Sequence, residues 1–159
     1  MQKIDSPIYL IKDYMKTSVP TISVEAVLQD AVAVMIKEKT NGLVLVDQNK
    51  HIQGIVTVWD IIERIVPDYL EEDKHLASFE SGDILAVRTR AVSHHPIKEL
   101  MKDKIHTVNE NDPVMKAATM VSEYRLRQIP VVNQAGILAG VISRTQVKQV
   151  IAKILGIEA

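Results

Sequence analysis

A mixed α/β (α+β) fold, made of two tandem β-α-β-β-α repeats packed sheet to sheet with pseudo-twofold symmetry, is predicted by three observations. The chain matches itself at a fixed offset. Its apolar residues alternate between short continuous runs and helix-spaced stripes. Each copy, about 55 residues long, is too small to cover both sides of its own sheet, so two copies packed together would complete the core.

The offset places "IKDYMK" (11–16) on "IKELMK" (97–102). Thr21 then falls on Thr107, Ala31 on Ala117, Val46 on Val132, Gln48 on Gln134, Gly54 on Gly140 and Ile65 on Ile151, with no gap from 11 to 65. Identities are sparse, but the apolar pattern persists throughout, which points to duplication.

The elements follow in order. Thr21-Ile22 and Thr107-Val108 read as short extended segments. Leu28, Ala31, Val32 and Met35 form a helical stripe, copied as Val114, Ala117, Ala118 and Val121. Asp112 stands as N-cap of that second helix, with Pro113 at its first position. "LVLV" (43–46) and "IPVV" (129–132) read as buried strands, and "DQNK" (47–50) and "NQAG" (133–136) as the turns after them. Strands over 52–57 and 137–143 then lead into helices over 59–66 and 145–155. Repeat 1 is expected over 8–67, a helical linker over 68–94 and repeat 2 over 95–157. In the linker, "DYLEEDKHLASF" and "ILAVRTRAV" read as two short helices separated by "SGD".

Composition excludes several functions. With 19 basic and 20 acidic side chains the net charge is −1, so no bulk attraction to nucleic acid or anionic membrane is expected. One Trp, one Phe and four Tyr leave little surface for stacking bases. Without cysteine there is no disulfide, thiol nucleophile or thiolate-bound zinc. No signal peptide or membrane-spanning run is visible, so the expected location is cytoplasmic, with no membrane insertion.

Taken in order and repeated, "YMKTSVPTIS" with "LMKDKIHTVN", "RLRQIPVVN", and "GIVTVWD" with "GVISRTQ" resemble the cystathionine β-synthase-type (CBS) domain, and the chain looks like a stand-alone CBS pair. The resemblance implies a ligand-sensing regulatory module and not an enzyme. The ligands it implies are adenine nucleotides (AMP, ADP or ATP), bound in a cleft between repeats and reported to an unidentified effector protein. It also implies a homodimer, with no cofactor and no metal required. Alternatives are a structural dimerisation module without a physiological nucleotide, or a sensor of S-adenosylmethionine or a dinucleotide.

The family's ribose-phosphate motif, Gly-x-x-Thr/Ser-x-x-Asp, is met by Gly54-Ile55-Val56-Thr57-Val58-Trp59-Asp60. Glycine would let backbone and ligand approach closely. Thr57 would receive phosphate together with unpaired helix N–H groups. Asp60 offers two acceptor oxygens to the ribose hydroxyls. A second meaning stands beside this one: Thr-x-x-Asp and Ser143-x-x-Gln146 both resemble helix capping boxes.

By the resemblance, Ile55, Thr57 and Asp60 face Lys104, Ile105 and His106, together with Leu126, Arg127 and Ile129. The apolar members would sandwich adenine, and Lys104, His106 and Arg127 would serve phosphate. A weaker second cleft would pair Ser143, Arg144 and Gln146 with Val19, Pro20, Asn41 and Gly42. Exchanging a charged acceptor for the Gln146 amide should weaken that site by about 1–3 kcal/mol, so one good site per chain is expected. Trp59 would pack on the linker or crowd the ribose. Met15 and Met101 read as core residues. His94-His95 lacks metal-site spacing and reads as polar linker.

Overall fold

A computed structural model describes residues 8–68 and 82–158. They form two compact units: an inner unit, Pro20–Ile105, and a split unit that joins the chain up to Val19 with His106 and all that follows. The architecture is the expected mixture of α and β, with a three-stranded sheet in each unit. The first expected linker helix lies almost wholly outside the described residues.

The inner unit holds β1 (Thr21–Ser23), α1 (Leu28–Glu38), β2 (Gly42–Val46), β3 (Ile52–Thr57), α2 (Val58–Ile65) and α3 (Ile84–Val92). Strand β1 runs parallel to β2, with Thr21 opposite Val44, and α1 supplies the crossover that a parallel pair needs. Strands β2 and β3 are antiparallel, with Leu45 opposite Gly54 and a register shift at Leu45/Val46. The turn between them is held by Asp47 Oδ1, which accepts from the N–H groups of Asn49 (2.8 Å) and His51 (2.9 Å).

The split unit repeats this plan with β4 (Val108–Asn109), α4 (Val114–Tyr124), β5 (Gln128–Val132), β6 (Leu138–Ser143) and α5 (Arg144–Ile154). Here Asn133 Oδ1 takes the turn bonds, from Ala135 (2.9 Å) and Ile137 (3.0 Å). Helices α1 and α4 both end on a left-handed residue, Lys39 and Arg125, each with φ of 52°.

Two local expectations change. Helix α4 begins at Val114 with Pro113 at the cap position. Asp112 does not cap it: its Oδ2 accepts from Asn109 N–H (2.9 Å) and from Lys116 Nζ (2.9 Å). In the α1 stripe Leu28, Ala31 and Met35 are buried, whereas Val32 sits at the margin, 39% exposed.

The segment leading into each repeat serves the other repeat's core. Ile97, in the second "IK", is fully buried with Ile22, Leu28, Leu43, Leu45 and Val56 of the inner unit. Its counterpart Ile11 is fully buried with Val108, Ala117, Ile129 and Ile142 of the split unit. The physical reason lies in the helix starts. The first N–H groups of a helix lack internal partners. Leu28 and Gln29 find theirs in the carbonyls of His95 (2.9 Å) and Ser93 (3.0 Å), and Val114 in that of Tyr9 (2.8 Å). Helix α3, the second expected linker helix, joins the inner unit by burying Val92, and its Arg88 donates to the end carbonyls of α2 at Ile65 (2.9 Å) and Arg64 (3.4 Å).

Candidate functional site

Strand β3 hands over to α2 at Thr57, and β6 to α5 at Ser143. Thr57 stays extended (φ −120°, ψ 163°), so its hydroxyl points back at the new helix and accepts from Asp60 N–H at 3.4 Å. Asp60 answers with one oxygen: Oδ2 accepts from Thr57 N–H (2.7 Å) and from the Thr57 hydroxyl (2.9 Å). The junction is a complete capping box. The copy is built alike, with Gln146 Oε1 accepting from Ser143 N–H (2.8 Å) and the Ser143 hydroxyl (2.6 Å). Both answering side chains are buried, Asp60 to 7% exposure and Gln146 to 5%.

What remains after capping differs between the copies. Asp60 keeps a second carboxylate oxygen, Oδ1, which faces the Lys102 ammonium at 3.7 Å. Gln146 has spent its only oxygen and keeps an NH2 group, which only donates. One junction therefore presents an acceptor with a charge, the other a neutral donor.

Lys102 is the residue that reading the sequence missed, although the repeated "MK" of 15–16 and 101–102 marked its place. Its backbone is pinned to β3 from both sides, Lys102 N–H donating to Ile55 O (2.8 Å) and Ile55 N–H to Lys102 O (3.0 Å). Lys16 is pinned to Val141 in the same way, at 2.9 and 2.8 Å.

This neighbour also corrects the reason given for the motif glycine. A Cβ on Gly54 would meet Met101 Sδ at 2.7 Å and Lys102 O at 2.8 Å. On Gly140 it would meet Lys16 O at 2.6 Å and Met15 Sδ at 2.9 Å. The close approach is made by the protein's own leading segment. Met15 and Met101 pack against the edges of the two cores, as expected of core residues.

The other expected site residues divide between the units. Ile55, Thr57, Asp60, Lys104 and Ile105 belong to the inner unit, as do Pro20, Asn41 and Gly42. His106, Leu126, Arg127, Ile129, Ser143, Arg144, Gln146 and Val19 belong to the split unit. Lys104 and Arg127 are exposed. His106 stacks on Tyr124, with ring centroids 4.1 Å apart. Ile129 is fully buried in its core, where its side chain is occupied in packing. The carbonyl of Asn41 accepts from Val58 N–H (2.8 Å), beside a largely apolar cavity of about 320 Å³ lined by Val32, Met35, Ile36 and Val58. Trp59 neither packs down nor turns inward and is 68% exposed. His95 takes the Arg64 guanidinium on Nδ1 at 3.0 Å. Among the described residues no helix is long and apolar enough to cross a membrane.

Compared with known proteins, the chain matches the family model "CBS domain" over residues 11–67 and again over 97–153, well over half its length. The chain belongs to the CBS domain family. A homoserine O-acetyltransferase of Methanobrevibacter ruminantium is 24% identical to this CBS pair over 143 residues, 90% of this chain and 24% of that protein. This chain thus spans about a quarter of that relative's length. A CBS domain-containing protein of Dictyostelium discoideum is 23% identical, with 92% of this chain and 93% of the relative covered. Among solved structures, CBSX2 in complex with AMP superposes with a TM-score of 0.68 at 22% identity, covering 92% of this chain and 98% of that one; CBSX2 is a CBS-pair protein of Arabidopsis thaliana. The CBS domain pair of protein MJ0100, in complex with 5′-methylthioadenosine and S-adenosyl-L-methionine, gives 0.65 at 23% identity, covering 93% and 99%. At these identities the likeness of structure establishes the fold.

Proposed function

We propose that this CBS pair is a regulatory, non-catalytic module that binds an adenine nucleotide of the AMP, ADP or ATP class and reports its level to a partner protein. The observation that carries the reading is the second carboxylate oxygen of Asp60, which the cap does not use and which faces only the exposed Lys102 side chain among the described residues. Capping uses Oδ2 alone, so Oδ1 remains for the ribose hydroxyls while the helix start stays closed. Thr57 sits where α2 opens, and its hydroxyl is the group assigned to the phosphate, since the Val58 and Asp60 N–H groups of that turn already donate to Asn41 O and to the Thr57 hydroxyl. The complexes of CBSX2 with AMP and of the MJ0100 pair with adenosyl ligands support an adenosine-containing ligand. Lys104, Ile105, His106, Leu126 and Arg127 are carried in the proposal from the family resemblance. Ile129 is left out because its side chain is spent on the core. The Ser143–Gln146 junction is proposed as the weaker site, for want of an acceptor. The proposal includes a homodimer in the cytoplasm.

Calorimetry with AMP, ADP, ATP, 5′-methylthioadenosine and S-adenosylmethionine tests the reading. Binding of at least one nucleotide, lost in Asp60→Ala, is the expected result. Absence of binding by AMP, ADP and ATP would overturn it. A purely structural module is the second reading, favoured by one observation: both capping boxes are complete without any ligand. That reading expects Asp60→Ala to cost stability while no nucleotide shifts the melting temperature.

A further inference from the structure

We propose that Lys102 makes the Thr57–Asp60 junction selective for a ligand with a 5′-phosphate beside its ribose, a role that rests on the nucleotide reading above. A phosphate set close to a buried carboxylate is repelled by it. Asp60 is such a carboxylate, its side chain 6% exposed, and among the described residues Lys102 brings the one ammonium against it, 3.7 Å from Oδ1. The pairing is built into the backbone. Both hydrogen bonds between Lys102 and Ile55 hold the lysine Cα at the edge of β3, so only its flexible stem can move. That side chain is 71% exposed, and its three donors can turn from Oδ1 towards an incoming anion without breaking any strand contact.

The second copy lacks one part of this arrangement. Lys16 occupies the matching place with the same pair of backbone bonds to Val141. The side chain opposite, Gln146, carries no charge, and Lys16 forms no salt bridge among the described residues. Lysine and carboxylate are therefore joined at one junction only. A neutral nucleoside needs Oδ1 and must displace Lys102 from it. A nucleotide gives the displaced ammonium a new anionic partner. The geometry therefore favours the phosphorylated ligand.

The test is calorimetry of AMP and of 5′-methylthioadenosine, which has no phosphate, on the wild-type chain and on Lys102→Met, Lys102→Arg and Lys16→Met. Far-UV circular dichroism and the melting temperature of each variant report folding. Lys102→Met should weaken AMP by about 10- to 100-fold. It should leave 5′-methylthioadenosine within about threefold, or bind it more tightly, as expected when only the phosphate contact is lost. Lys102→Arg should keep AMP binding, and Lys16→Met should change neither ligand. Equal loss of both ligands in a folded Lys102→Met, or no loss of either, overturns the selectivity role while leaving the nucleotide reading intact. If the wild-type chain binds neither, the selectivity role fails, and the nucleotide reading fails with it where ADP and ATP do not bind either.

Discussion

One oxygen of Asp60, Oδ2, accepts both the backbone N–H and the hydroxyl of Thr57, at 2.7 and 2.9 Å. In the proposed nucleotide reading, capping and ligand binding are thereby separable within a single carboxylate. Asp60→Asn keeps an oxygen for the cap and turns the other group into a donor, as at Gln146. It should lower stability by less than about 1 kcal/mol and still lose most nucleotide binding. Asp60→Ala should lose both, with about 1–2 kcal/mol from the cap. Urea denaturation beside calorimetry separates the two effects. Equal losses of stability in both variants would contradict the division of labour.

Gln146→Asp should restore the missing acceptor in the second copy. The expected result is a rise from one nucleotide bound per chain to two, read as calorimetric stoichiometry at high ligand concentration. An unchanged stoichiometry would mean that the acceptor is not what limits that junction.

Gly54→Ala and Gly140→Ala should destabilise the chain whether or not ligand is present, because the added Cβ meets the carbonyls of Lys102 and Lys16 at 2.8 and 2.6 Å. Overpacking of this kind costs about 1–3 kcal/mol. A loss of ligand affinity with no loss of stability would return these glycines to the ligand.

Ile97→Ala should destabilise the inner unit by about 2–5 kcal/mol, although Ile97 lies in the second repeat by sequence. Hydrogen exchange should show the loss of protection in α1 and β2. Loss confined to β5 and β6 would contradict the packing described.

The Lys116 ammonium, donating to Asp112 at 2.9 Å, holds the Asp112 carboxyl below the usual carboxylate range, helped by Asn109 N–H and opposed by burial. A carboxyl lowered in the folded chain adds stability that is full above about pH 4, its unfolded value, and is lost as pH falls through the folded value. The contribution is about 0.5 kcal/mol, as for other partly exposed ion pairs. Denaturation of Asp112→Asn against the wild-type chain should show the difference near neutrality and its disappearance in acid.

The internal match located nearly every element, because burial periodicity survives duplication when identity does not. Strands at 52–57 and helices after Thr57 and Ser143 stand within a residue of expectation. The motif residues Thr57, Asp60, Ser143 and Gln146 were legible for the same reason. The fate of the leading segments was not. Ile11 and Ile97 align equally well whichever core receives them, and only the placement of helix-start donors at Leu28 and Val114 decides it. Lys102 was hidden likewise, since its pairing with Asp60 depends on a strand-edge bridge far along the chain. Asp112 misled because Asp-Pro before a helix is a common start, and here a lysine one turn on takes the carboxylate instead.

The traded leaders bear on how such a chain can be cut or can have arisen. A fragment holding residues 11–67 alone would keep a leader that fits elsewhere and lack the one that fills its own interior. Its simplest escape is to meet an identical fragment and swap leaders with it, so that a single-copy ancestor would be viable only in pairs. Fusing two such genes head to tail would then make permanent, within one molecule, an embrace that had needed two.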